Sequence, residues 1–247
     1  MLRVAVITPY YKETDDVLQK CHESVLSQTH PCTHVLVADG YPRQLFNISG
    51  NTMHAILPQA NSDNGNTPRA IGGIIADSAG FDAVAYLDAD NWYEPDHINA
   101  LLKSSQSEGG DLISCKRKFY DLAGTQLHVT EAAEDRNLHV DTSCWLIFRP
   151  AFSLLRSWLM PKPLSPLCDR IFFKKVMNDR YSVTMTNHRT VAFRTQYADH
   201  YHAAGVPTPD GVRRGDWYSA SVAFLKSTTG ISEITKQLGF YPTSIFD

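Results

Sequence analysis

"YLDADNWYEP", residues 86–95, ends an apolar run with two aspartates one residue apart, then an amide, two aromatic residues and a proline. The run leading into it, "FDAVAY" (81–86), is short and apolar, as a strand covered on both faces requires. Carboxylates placed where a buried strand runs out admit two readings. Acids commonly cap the helix that follows, and "EPDHINALLKSS" (94–105) is a helical pattern with Pro95 near its start. Alternatively, Asp88 and Asp90, at i and i+2, project to one side and hold a hard divalent cation such as Mg²⁺ or Mn²⁺ together with substrate phosphates. The pair alone does not decide; its surroundings do.

Working back toward the N-terminus, strand and helix signals alternate. "RVAVIT" (3–8) and "THVLVADG" (33–40) read as buried strands and "HAILP" (54–58) as a weaker third. Between the first two, "TDDVLQKCHESVLSQ" (14–28) offers Thr14 as a cap, Asp15 and Asp16 in the first turn, and Val17, Leu18, Cys21, Val25 and Leu26 at helical spacing. "NTPRAIGGIIADSAG" (66–80) predicts a second helix with Pro68 at its first position, whose Gly72 and Gly73 allow close packing on a sheet. Strands separated by helices imply βαβ units and a mostly parallel sheet, with ligands beyond the carboxyl ends of the strands. Thr8, Asp39 and Asp88 all fall at such ends.

Beyond residue 110 the alternation loosens. Strands are predicted at 111–121 and 143–149 and helices at 150–159 and 166–177. "RYSVTM" (180–185) and "TVAFRT" (190–195) read as a short strand pair around Asn187 and His188. The Gly-, Pro- and His-rich stretch 198–214 reads as a loop, and 216–227 as a last helix. No linker composition interrupts the chain, so one domain is expected over 1–247.

Composition narrows the classes. With 43% hydrophobic and 20% charged residues and a formal net charge of -3, the chain reads as globular and lacks the basic face that sequence-independent nucleic-acid binding needs. The five cysteines are widely spaced with no C-x-x-C pair, so neither a disulfide framework nor a zinc site is suggested. No apolar stretch reaches the length of a membrane span or a signal sequence, and a cytoplasmic location is expected. Asn47-Ile48-Ser49 matches a glycosylation sequon, read here as a chance match.

The ordered motifs Thr8-Pro9-Tyr10, Ser24-x-x-x-Gln28, Asp39, Arg69 and Asp88-Ala89-Asp90 together resemble the nucleotide-binding half of glycosyltransferase family 2, in the GT-A fold. The resemblance covers roughly the first 100 residues well and the rest loosely. It implies a single α/β GT-A domain: a Rossmann-like, mostly parallel central sheet flanked by helices, with 1–100 binding a nucleotide-sugar and a mixed acceptor-side half over 101–247. It further implies that Thr8, Pro9 and Tyr10 meet the base and ribose. Asp39 would accept a uracil N–H, Arg69 add a cation near base or phosphates, Asp88 lie near ribose and metal, and Asp90 ligate Mn²⁺ or Mg²⁺. The chain departs from the family pattern at Ala38, where a second acid is usual beside Asp39.

The same comparison implies a catalytic base at the start of a helix, often Glu-Asp; here Cys168-Asp169 occupies that place, so Asp169 is the candidate base, against the reading of an acid that merely favours the helix dipole. Asp141 is the alternative, or an acceptor-binding residue, and Trp145 is a sugar platform or a core tryptophan. A C-terminal histidine, His202 or alternatively His200, is implied as a further metal ligand; Arg213 and Arg214, with Lys226 nearby, read either as cations that close over the phosphates or as basic surface residues. The function implied is metal-dependent, inverting sugar transfer from a UDP-sugar to a hydroxyl acceptor such as a glycan or glycoconjugate. A retaining transferase on the same fold and a catalytically silent nucleotide-sugar-binding module are the alternatives. "TPYYKETDD" contains no glycine, which argues against a nucleotidyltransferase loop and a dinucleotide-binding turn.

Overall fold

The computed structural model describes residues 1–44, 51–129, 139–243 and 245; the Asn47 sequon lies outside them. Its first half follows the βαβ reading. Strand β1 (Val4–Tyr10) pairs in parallel with β2 (Cys32–Asp39) and β4 (Ala83–Tyr86), and β2 pairs in parallel with β3 (Thr52–Leu57). The connecting helices are α1 (Asp15–Leu26) and α2 (Asn66–Ser78). Alternate β1 side chains face opposite ways, so Ile7 meets α2 while Thr8 meets Cys21 of α1.

The second half extends the same sheet with mixed direction. β8 (Trp145–Phe148) runs antiparallel to both β4 and β6 (Leu112–Tyr120), and β6 runs parallel to β9 (Val183–Arg194). β5 (Trp92–Tyr93) and β7 (Gln126–Leu127) add short antiparallel pairs to β9 and β6. The strand order is β3-β2-β1-β4-β8-β6-β9-β5, with β7 beside β6. Helix α3 (His97–Glu108) packs against β6 and β9. One buried apolar cluster runs from Val4 through Trp145 and Phe172 to Leu238, so both halves share a core.

Several expected elements take another form. The stretch 180–195 is one strand, not a pair: both of its ends pair with β6, and the polar Asn187-His188 step falls at a slip in the β6–β9 register instead of a reversal. Residues 149–158 form 3₁₀ turns, as do 162–167, where Pro163 and Pro166 lack the N–H an α-helix needs; α4 (Cys168–Asn178) starts only after them. The segment read as a loop from 198 begins with α5 (Ala198–Ala203), whose Ala198 and Tyr201 are buried against Phe119 and Phe193. The last predicted helix is α6 (Ser219–Lys226), and an unpredicted α7 (Thr228–Leu238) follows, capped by the Ser227 hydroxyl, which accepts from the Gly230 N–H.

Gly72 shows how tightly α2 lies on the sheet. A Cβ there would overlap the Ile7 Cγ2 methyl and approach Val37 Cγ2 to 3.2 Å, and one at Gly73 would come within 2.9 Å of Leu155 Cβ. Alanine is favoured over glycine in a helix by about 1 kcal/mol, whereas overpacking a core costs about 1–3 kcal/mol. Gly72→Ala is therefore expected to lower the chemical denaturation midpoint; a raised midpoint would mean that α2 can retreat from β1.

Candidate active site

The strand ends open onto a cleft of about 660 Å³. The N-terminal half contributes Pro9, Tyr10, Tyr11, Asp39, Arg69, Asp88 and Asp90, together with the loop 62–65 that leads into α2. The second half contributes Arg117, His139, Asp141, Asp169, His200 and the aromatic side chains Tyr197 and Trp217. Residues expected on sequence grounds as donor-binding and as catalytic thus line one cavity.

Asp88 and Asp90 belong to a turn, not to a helix cap. The Asn91 N–H donates to the Asp88 carbonyl at 2.9 Å, β5 follows, and α3 starts only at His97. The turn is tied to the second half of the chain: the Asp88 N–H donates to Ser143 Oγ at 3.2 Å, and Asn91 Oδ1 accepts from the Arg194 N–H at 2.9 Å. Arg69, 4% exposed, places Nη2 2.5 Å from Asp88 Oδ1, while its Nη1 donates to the Asn64 carbonyl and Asn66 Oδ1. Burial works against the guanidinium charge, but the Asp88 carboxylate more than offsets this and holds the Arg69 pKa above its ordinary value. Asp39 is buried, and its oxygens accept from Asn61 N–H and Asn61 Nδ2 at 2.8 Å and from the Ser62 N–H at 3.0 Å.

Four expected residues, Thr8, Trp145, His202 and Arg214, are not among those lining the cleft. Thr8 is fully buried on the α1 side of β1, where its Oγ1 is 2.8 Å from His34 Nε2. His202 is exposed, because two residues apart on α5 it faces away from His200. His200 does line the cleft, with Nδ1 2.6 Å from Thr195 Oγ1 and its ring edge-on to Phe119. Tyr10 reaches the cleft margin but is 2% exposed and bonds His54 Nε2 at 2.7 Å; the half-buried ring of its neighbour Tyr11 offers more surface there. Trp145 is wholly buried against Phe172 and Phe173.

Asp169 opens α4, with Oδ1 accepting from the Arg170 N–H at 2.7 Å and Oδ2 3.8 Å from Nε2 of buried His139. Asp141 is paired with Arg117 at 2.5 Å and accepts from the Ser143 N–H. Arg117 and His139 were not anticipated: the first lies within the strand expected at 111–121 with nothing nearby to mark its partner, and the second is an isolated histidine whose partner is 30 residues away. Tyr197 and Trp217 stack obliquely at 5.3 Å with Arg213 above both rings.

No family model matches the chain. Over 106 residues it is 32% identical to the succinoglycan biosynthesis protein ExoW of Rhizobium meliloti (strain 1021), a match covering 40% of this chain and 32% of ExoW. The structure superposes on S. aureus TarS with a TM-score of 0.61 at 16% identity, covering 82% of this chain and 38% of that one. TarS 1–349 solved with UDP gives 0.60 at 15% identity over 82% of this chain and 63% of TarS 1–349. With UDP-GlcNAc it gives 0.57 at 13% identity over 96% and 70%. The chain has the GT-A fold. The chain spans about a third of the length of ExoW.

On this GT-A frame the charge at Asp90 stands out. Asp88 and Asp141 are matched by Arg69 and Arg117, but the partner of Asp90 is a neutral amide, Gln196 Nε2, at 2.8 Å. Burial, with the charge of Asp88 adding to it, pushes the Asp90 pKa from an ordinary 3.8 up to about 7. Among the described residues no group of three or more His, Cys, Asp or Glu side chains is placed to hold a metal ion. Asp88 and Asp90 are the two carboxylates that a hard cation would use, with its remaining oxygens supplied by phosphate and water. No described helix is long and apolar enough to cross a membrane.

A raised carboxylate pKa has a defined effect on stability. Below about pH 4 the group is protonated folded or unfolded and costs nothing. Between about pH 4 and 7 the folded state binds the extra proton, so stability falls as pH rises, and above about pH 7 the full penalty is present. At about 1.4 kcal/mol per pH unit the penalty is at most on the order of 4 kcal/mol, reduced where cleft water screens the charge. In chelator, Asp90→Asn should raise Tm at pH 8 and leave it unchanged at pH 4; an equal shift at both would show that the penalty is not ionic.

Proposed function

We propose that the cleft is the donor and acceptor site of a metal-dependent, inverting glycosyltransferase that moves a sugar from a UDP-sugar to a hydroxyl acceptor, a glycan or glycoconjugate. The observation that carries this reading is the meeting of Asp88 and Asp90, at the carboxyl end of β4, with Asp169, at the start of α4, in one cavity of a GT-A fold. The UDP and UDP-GlcNAc complexes of TarS support the choice of donor.

In this reading the nucleotide lies over the loops after β1 and β2, and the diphosphate faces Asp88 and Asp90. Asp88 and Asp90 would hold a divalent cation, Mn²⁺ or Mg²⁺, which would supply positive charge to offset that of the departing diphosphate. Asp169 accepts the proton of the acceptor hydroxyl while that oxygen bonds to the anomeric carbon and the bond from carbon to phosphate oxygen breaks, so configuration inverts. His139, buried behind Asp169, is a positioning residue that fixes which carboxylate oxygen faces the acceptor. Arg69 holds Asp88 in place through Oδ1, so that the other oxygen stays available to the ligand.

Calorimetric titration of UDP and GDP, with and without Mn²⁺, is the direct test. UDP is expected to bind only with Mn²⁺, and Asp90→Ala to abolish that binding; no nucleotide binding under any condition would sink the proposal. Asp169→Asn should leave UDP binding intact and slow transfer by about 10²- to 10⁴-fold, the range for loss of a general base. Retention at the anomeric centre, read by NMR of the product, would return the mechanism to the retaining alternative. UDP binding with no turnover of any donor would favour a silent binding module.

A further inference from the structure

Two cations at the margin of the cleft share one aromatic ring and lack a carboxylate. Arg194, the last residue of β9, lines the cleft, and its guanidinium carbon lies 5.6 Å from the centre of the Trp92 ring. Lys20 Nζ, reaching over from α1, lies 3.3 Å from the same centre. Arg69, Arg117 and Lys118 are each paired, with Asp88, Asp141 and Glu94. Among the described residues neither Lys20 nor Arg194 has such a partner, and Arg194 Nε is buried with no hydrogen bond. Asp16, one turn before Lys20, feels the charge of Arg194, but the Thr14 hydroxyl and the N–H groups that open α1 already engage it. Burial, and after it the charge of Arg194, lowers the Lys20 pKa, so the two cations stand close enough to repel. Attraction to the face of an indole is weak at a solvent-facing site and neutralises neither charge.

An anion between them would offset that repulsion. The guanidinium fork takes two oxygens of a phosphate, and an ammonium takes a third as a point charge. A carboxylate has one negative charge and two oxygens, so phosphate matches the pair better. The position is distinct from the acidic turn. The Arg194 backbone N–H is bound to Asn91 Oδ1 at 2.9 Å, yet its guanidinium pairs with neither Asp88 nor Asp90, and Lys20 and Trp92 lie outside the cleft lining. A diphosphate held against Asp88 and Asp90 leaves this rim to a second molecule. We propose that Lys20 and Arg194, set on Trp92, bind a phosphate group of the acceptor, which is then a phosphorylated glycan or glycoconjugate. Giving that phosphate to the acceptor rests on the transferase reading above; the anion site itself does not.

Inorganic phosphate is the probe, with acetate as the carboxylate control. Each would be titrated calorimetrically, at constant ionic strength and without divalent metal, into wild type, Lys20→Gln, Arg194→Gln and Lys103→Gln, the last an exposed cation of α3. Wild type should bind phosphate more tightly than acetate. Lys20→Gln and Arg194→Gln should each weaken phosphate by about 10- to 100-fold, and Lys103→Gln should leave it alone. Lys20 is exposed, so its variant keeps the test valid if Arg194→Gln fails to fold. With saturating UDP and Mg²⁺, phosphate should bind wild type with unchanged affinity, and during transfer it should raise the KM for acceptor. No phosphate binding by wild type, affinity indifferent to residues 20 and 194, or an equal loss in Lys103→Gln each overturns the site. Acetate bound as tightly as phosphate overturns the choice of phosphate. Displacement by UDP, or inhibition of transfer competitive with the UDP-sugar, overturns the assignment to the acceptor, since the site would then serve the donor's own diphosphate. Phosphate binding by a protein that binds no UDP overturns the transferase reading, and the acceptor with it, and leaves the anion site standing.

Discussion

The ion pair between Arg69 and Asp88 is the joint on which the cleft is built. It ties the first turn of α2 to the carboxyl end of β4, and through Asn64 and Asn66 it also fixes the loop before α2. Trp158, whose ring lies 5.3 Å from the guanidinium, closes the other side. Arg69 is buried while Asp88 is partly exposed, so removing the carboxylate would leave a buried guanidinium without its counter-charge. The value of the pair here is positional, because the carboxylate it orients stands beside Asp90, which has no cationic partner among the described residues.

The direction of β8 explains why the rest of the site arrives where it does. In an all-parallel sheet the neighbour of β4 would also present its carboxyl end at the cleft. β8 is antiparallel, so its amino end lies there instead, and Asp141, Thr142 and Ser143 come beside Asp88. The pairing of Arg117 with Asp141 then fastens β6 to the same corner.

What could be read from the sequence follows the range of the interactions concerned. The βαβ half was legible because local signals, such as Thr14 before two acids or Pro68 at a helix start, agree with the tertiary packing. The glycines of α2 were legible as a packing device for the same reason. The orientation of Thr8 was not, since whether it faces α1 or the cleft depends on strand phase against two helices. Arg117 and His139 were missed because each acquires its role from a partner that sequence spacing does not reveal. The strand at 183–194 was misread because a polar Asn-His step looks like a turn unless the common partner strand is known.

The interleaving of the two halves also orders events during synthesis. β1, β2 and β3 can pair as soon as they emerge, but β4 has its second neighbour only when residues 145–148 follow, and the turn at Asp88 is tied to Ser143 and Arg194, both much later in the chain. Pairings so distant in sequence form slowly and late. The ribosome therefore releases most of the chain before the acidic corner acquires its final walls, and a nascent chain pairs its first strands well before it has a cleft.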